Sequence, residues 1–493
     1  MPPSPLPESS PQAGKPAAAD RLETVADFTQ ATGRDFTGYL VSLGLLNLGS
    51  LFLLPLVTGY LGAGEIGLYS LVEVAQIQGI TFSLLGLKFA YLYHYAHTPG
   101  DARPRLLGTT LLLTGGASMI AGLLLWAIFA NPALMARFDA RPLPHAWLLL
   151  PLLIFGAMQT VLLTELRANR QVWLSGFIAV SHLLLMLLLS IVLVAGYGAG
   201  IPGFLAAQSV ASALSCGIAW SLINRRLVLL ARPYRAGALL RYGIPMMTGL
   251  MLRYSLDTLC RFLLAALVSL EAAGQFMIVM RIVLLFEALL AIPFFTAWGG
   301  LVHHALQRPA AAVIIGRITA LAMTAASLLV IVMLAIRPGL FRLLAHDAMP
   351  ELAGLFALLL ASRAIQLVKS PLTAGILVTG QTGWAVRNNV FALSVFTILA
   401  YPATELWAAT GTALALLAAN LAATLSLARA AFRHCRPAFE LPAIALAVTA
   451  GAASAATVLY ASDLPAAFWL LFLGIGLGLA IWHGRHLLVA DRV

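Results

Sequence analysis

Charge is scarce in this sequence. Asp, Glu, Lys and Arg make up 10% of 493 residues, against 61% hydrophobic residues. Soluble domains carry roughly 25% charged residues, so a soluble globular chain is excluded. Cysteine is scarcer still: Cys216, Cys260 and Cys435 all lie in or beside apolar segments, with no disulfide framework and no CxxC metal pattern. No G-x-x-x-x-G-K-[ST] loop is present, so the chain by itself hydrolyses no ATP. His303-His304 lack HExxH or Cys/His ligand spacing, and no metal or other cofactor is expected. Long polar loops are missing too. None between apolar runs exceeds about 20 residues, too short for a soluble catalytic domain. That opposes a membrane enzyme of glycan assembly, as does the lack of paired external carboxylates.

Apolar runs of helix-spanning length are abundant, and mean hydropathy is +0.92, so the expected class is an all-α integral membrane protein. Breaks at charged, Pro and Gly residues divide the chain into about fourteen spans. Their expected limits are 38–61, 67–95, 106–129, 146–166, 172–196, 202–223, 238–268, 273–300, 310–336, 352–378, 384–401, 406–429, 441–461 and 465–484. Residues 1–36 form a Pro/Ala/Ser-rich polar tail that reads as disordered. No short apolar core follows a basic start, so no cleaved signal peptide is expected.

The net charge of +11 points first to nucleic acid, but its distribution explains it otherwise. With the N-terminus inside, about 20 Lys/Arg fall in cytoplasmic segments and about four outside. The external four are Arg137, Arg141, Arg337 and Arg342. The most basic internal loop, "NRRLVLLARPYRAGALLR", carries Arg225, Arg226, Arg232, Arg235 and Arg241. Both termini are therefore expected in the cytoplasm, and the basic excess implies no nucleic-acid partner.

A repeat runs through the chain. "YLGAGEIGLYSLVE" follows the first span and "LVSLEAAGQFMIVM" the seventh; Gly67 then meets Gly274 and Tyr69 meets Phe276, at a spacing of about 207 residues. Glu65 and Glu271 each precede the matched segment. "RANRQVWL" after span four is echoed by "VTGQTGWAV" after span ten. The expected organisation is a cytoplasmic tail (1–36), a six-helix lobe (37–224), a second six-helix lobe (225–432) and two extra helices with the C-terminal tail (433–493). Duplicated helical halves are the usual build of secondary transporters, with the site between them at midplane.

The turn "LGAGEIGLYSL", its copy in the second half, "LRANRQVWLSGF" and "LVTGQTGWAVRNN" resemble the polysaccharide transporter, or Wzx-type flippase, family of the multidrug/oligosaccharidyl-lipid/polysaccharide exporter (MOP) superfamily. The resemblance covers roughly residues 36–485. It implies a flippase that moves a pyrophosphate-linked oligosaccharide, or an exopolysaccharide unit, across the bacterial inner membrane by alternating access, without being an enzyme. Expected partners are that anionic lipid-linked substrate, membrane lipid and polysaccharide polymerase or secretion proteins. Fourteen spans also match the lipid II flippase branch, but the arginine expected in its first span is missing, as is the acidic residue common in the drug-exporting branch. Alternatives left open are a drug or metabolite cation antiporter of the same superfamily and a non-transporting subunit of a polysaccharide secretion complex.

Charges inside the membrane are costly and face a bundle interior or aqueous cavity. "GLMLRYSLDTLCRFLL" puts Arg253, Asp257 and Arg261 on one helical face, drifting about 40° per step. Lys88, Arg253, Arg261, Arg281, Arg363 and Lys369 are the candidate substrate-binding cations, because a pyrophosphate needs several donors and the arginine fork suits its oxygens. In the family resembled, spans two, seven and eight border the cavity. Glu73, Asp257 and Glu287 are candidate ion-coupling groups or charge partners. Asp257 lies four residues from both Arg253 and Arg261 and is placed to pair with either. Lys88 and Lys369 lie toward cytoplasmic ends, where snorkelling is the competing reading. Gln76 and Gln78 suit sugar hydroxyls or, more commonly, interhelical bonds.

Overall fold

The computed structural model describes residues 51–96, 98–169, 171–223, 234–292, 294–295, 311–345, 350–372 and 383–433. The tail at 1–36, most of the first span, spans thirteen and fourteen, Arg225, Arg226, Arg232, Pro293 and His303-His304 lie outside the described residues. Among the described residues the chain is all helix and turn. The elements are α1 (Leu53–Tyr60), α2 (Ala63–Ser83), α3 (Leu87–Ala96), α4 (Arg103–Ala130), α5 (Leu149–Ala168), α6 (Val172–Ser190), α7 (Gly200–Ile223), α8 (Ala236–Leu267), α9 (Leu270–Phe286), α10 (Ala311–Ala345), α11 (Ala353–Leu372) and α12 (Gly383–Ala431). In hydrocarbon every backbone polar group must be paired within the chain, which a helix alone achieves locally. Eight helices among the described residues are long and apolar enough to cross a membrane.

Local chemistry sets the starts of the two repeated helices. At α2 the Glu65 carboxylate accepts from the Gly62 backbone N–H at 3.0 Å. At α9 the Ser269 hydroxyl accepts from the Ala272 N–H at 3.1 Å, with Glu271 in the first turn. Both devices satisfy otherwise orphaned N–H groups and place negative charge at the positive helix end.

Several boundaries differ from expectation. The second span is broken: Leu85 and Gly86 have φ of 47° and 68°, so α2 ends and α3 starts in a new direction. A side chain at Gly86 would put its Cβ 2.1 Å from the Gly243 carbonyl oxygen, so the chain turns where the backbones of α3 and α8 meet. α10 runs on through Pro338 to Ala345, which puts Arg337 and Arg342 in helix instead of in a loop. Spans eleven and twelve meet at a break in α12, where Trp407 and Ala408 leave helical geometry. Its 49 residues would reach about 74 Å if straight, more than twice a bilayer core of roughly 30 Å.

Helices α4 to α7 pack on one another and, through α4 and α5, on α2; α9 packs on α8 and α11, and α12 on α8 and α11. These two groups meet chiefly along one seam, α2 and α3 against α8 and α9. The seam is tightest where the repeats face each other. A Cβ on Gly67 would lie 1.9 Å from the Leu270 carbonyl oxygen, and one on Gly274 would lie 2.9 Å from the Gly67 nitrogen. The repeat-related glycines thus pack against each other, as small residues allow membrane helices to do. Tyr69 and Phe276, the other matched pair, are both buried.

Candidate functional site

One helical turn and a half beyond Gly67, α2 presents Glu73 across the seam. One carboxylate oxygen accepts from the Arg261 guanidinium of α8 at 2.7 Å, and the other accepts from Arg281 of α9 at 2.5 Å. Both arginines are only 6% exposed. Arg261 also donates to the Ser70 carbonyl at 3.3 Å, and Arg281 lies 5.8 Å from the centre of the Tyr69 ring. Charges this deep need partners and further hydrogen bonds to offset desolvation. Here the partner comes from the opposite half. Nearby, the Gln78 amide donates to the Met251 carbonyl, Ser255 and Thr258 of α8 at 3.3–3.4 Å, the interhelical use of a membrane glutamine.

A second cluster lies wholly within the later half. Arg363 of α11 donates from Nη2 to both oxygens of Asp257 at 2.9 Å, and its Nη1 is 3.2 Å from Glu287. Asp257 therefore pairs with neither Arg253 nor Arg261. Its side chain is aimed at α11, and tertiary packing outweighs the four-residue spacing. Glu287 opens a π-helical turn, Glu287–Ala291, a local rewinding common at functional sites.

This cluster borders a cavity of about 450 Å³; among the described residues it is lined by Arg253, Arg363 and Lys369, by Glu287 as the one carboxylate, and by the amides of Gln366, Asn389 and Asn420. Arg253 is exposed. Lys369 donates to the amide oxygen of Asn388 at 2.9 Å once that amide is turned to accept, and Asn420 bridges Gln366 and Ser362. The cavity falls in the usual size range of ligand pockets. Lys88 stands apart on α3, its ammonium 4.9 Å from the centre of the Phe89 ring.

The candidate residues thus divide into a seam cluster (Glu73, Arg261, Arg281), a cavity cluster (Asp257, Glu287, Arg363 with Arg253 and Lys369) and isolated Lys88. Sequence reasoning passed over a third polar network. Glu165, 8% exposed on α5, accepts a very short hydrogen bond from Tyr91 of α3 and one from Asn169 at 2.8 Å. Tyr95 in turn donates to Asn169 at 2.5 Å. Its signal was a lone acid in the last turn of an apolar run, "LLTELRANR", which resembles an ordinary span boundary.

No family model matches the chain, and no curated protein matches it. Solved structures do. The lipid II flippase MurJ in its inward closed conformation superposes with a TM-score of 0.69 at 11% identity, covering 94% of this chain and 99% of that one. An inward-facing multidrug resistance MATE family transporter of the MOP superfamily gives 0.64 at 15% identity, over 85% and 96%. A MOP superfamily transporter from Pyrococcus furiosus, described as having a binding pocket of reversed polarity, gives 0.57 at 16%, over 82% and 95%. The fold is that of MOP superfamily transporters, multi-pass membrane proteins built of helices.

Proposed function

We propose that this chain is a flippase or exporter, moving a lipid-linked oligosaccharide that carries a pyrophosphate, or a related exopolysaccharide unit, across the bacterial inner membrane by alternating access. The carrying observation is the sign of the cavity: among the described residues, three cationic side chains and one carboxylate line it. Arginine forks and an ammonium suit phosphate oxygens, and the amides of Gln366, Asn389 and Asn420 suit sugar hydroxyls. Asp257 and Glu287 hold Arg363 in place. A cationic drug would meet repulsion in this cavity.

The seam supplies the moving contact. With both termini cytoplasmic, the Gly67–Gly274 end lies on the outer side, so the Glu73–Arg261–Arg281 contact closes the outer path. Opening that path parts α2 from α8 and α9. The energy comes from an ion gradient or the membrane potential, since the sequence carries no nucleotide loop.

Purified protein in sealed vesicles tests this reading directly. A fluorescent prenyl-pyrophosphate glycan should cross without ATP, and the change Arg253→Gln with Lys369→Gln should slow it at least about tenfold, as expected when charged contacts to a phosphate are removed. Transport of an organic cation with no movement of the lipid would overturn the proposal in favour of a drug antiporter. Movement of neither, with normal insertion, would point to a non-transporting subunit.

A further inference from the structure

The seam cluster has more donors than its carboxylate can use. Glu73 offers two oxygens, and each is taken by one arginine. Among the described residues, Arg261 Nε and Arg281 Nη1 remain buried without a hydrogen-bond partner. A buried N–H with no acceptor carries a desolvation cost, so two such orphans on adjacent arginines mark a receptor built for an anion richer in oxygen than a carboxylate. Both arginines belong to the later half, on α8 and α9, whereas Glu73 belongs to the earlier half, on α2. The receptor therefore stays with one half when the seam parts, and its present occupant leaves with the other. On its own half, Asp257 and Glu287 are already held by Arg363.

We infer that Arg261 and Arg281 form a phosphate receptor which Glu73 occupies in the closed state, so that Glu73 and the anionic headgroup of the cargo exclude one another. This rests on the proposal above that the cargo carries a phosphate. Phosphate enters when the seam is open and satisfies the orphaned donors. Closure returns Glu73 to the pair and expels the headgroup. Glu73 is thus a built-in competitor whose arrival links release of cargo to the meeting of the halves. No bond is made or broken in the exchange; one anion replaces another on the same guanidinium groups.

Binding to the purified full-length chain tests this, with farnesyl pyrophosphate and inorganic pyrophosphate as probes. Glu73→Gln removes the competitor's charge while keeping its shape. It should bind both probes at least about tenfold tighter than the native chain, a difference of about 1.4 kcal/mol. Pyrophosphate should also raise the thermal stability of Glu73→Gln more than that of the native chain. Adding Arg261→Gln to Glu73→Gln should abolish the gain. If Glu73→Gln is not recovered folded, Glu73→Asp, which withdraws the charge by one methylene, should show a smaller gain of about threefold. Equal binding by native and variant chains overturns the inference and leaves the proposed function standing. A gain that survives Arg261→Gln, or is confined to the lipid probe, overturns it too, because the arginine pair is then not the receptor. Failure of every variant to bind either probe overturns both this inference and the phosphate-bearing cargo.

Discussion

The seam and cavity clusters use the same chemistry in opposite proportions. At the seam one carboxylate holds two arginines; at the cavity one arginine holds two carboxylates. The first joins helices of different halves, and the second joins helices of one half. On the proposed cycle the cluster that comes apart has its minority charge on the moving partner, so one departure exposes both cations. A cluster that must stay together has its minority charge in the centre, anchored from two sides. Exposure does not separate them: the seam arginine side chains are 7% exposed against 10% for Arg363, and Glu73 is 22% exposed against near 30% for Asp257 and Glu287. Placement, more than charge count, separates a contact that switches from a contact that shapes a cavity.

The comparison breaks most sharply at Glu73. Glu73→Ala strands two buried arginines and should weaken the closed state by about 3–5 kcal/mol, the usual cost of removing one partner of a buried ion pair. Cysteines at Ser70 and Ala273, where the Ser70 hydroxyl lies 3.3 Å from the Ala273 carbonyl, should cross-link readily in the native background and poorly in this variant. Cross-linking at the native rate would show that Glu73 does not hold the seam. Next in size is Arg363→Gln, which leaves Asp257 and Glu287 without the cation they share and lowers the positive charge of the cavity. It should abolish glycan export while Ser70–Ala273 cross-linking persists. Arg363→Lys should recover only part of the export, because an ammonium lacks the fork that serves two carboxylates.

Gly274→Ala sharpens the comparison by changing shape without charge. Its Cβ would fall 2.9 Å from the Gly67 nitrogen, so the seam must open slightly, with a cost of roughly 1–3 kcal/mol from overpacking. It should reduce cross-linking and leave pyrophosphate binding in the cavity intact. The smallest effect belongs to Gln78→Leu, whose three long hydrogen bonds should be worth about 1 kcal/mol together. A shift of a few degrees in melting temperature, with export retained, is the expected result. Loss of export on Gln78→Leu would place the glutamine in the substrate path.

Much of this was legible in the residues. The matched glycines at 67 and 274 were visible as a repeat, because a turn that starts a helix needs particular residue types in particular order. That the two copies touch each other was not visible, since a repeat says nothing of where its axis runs. The charges in "GLMLRYSLDTLCRFLL" were visible as costly and shared, but their partners were not. Asp257 had two arginines on its own helix and chose one 106 residues away. Glu73, one of three candidate ion-coupling groups or charge partners, became the centre of the seam. The second span looked continuous because Leu85-Gly86 sits in an apolar run, and only packing against Gly243 shows why the backbone turns there.

By itself the sequence determined that the chain is helical and built for a membrane, because those properties follow from composition and spacing along the chain. It also determined that buried charges of both signs had to find partners. Which partners they found was decided by the tertiary structure alone. Ion pairs depend on distances of a few ångströms between helices far apart in sequence, and those distances arise only when the two halves pack.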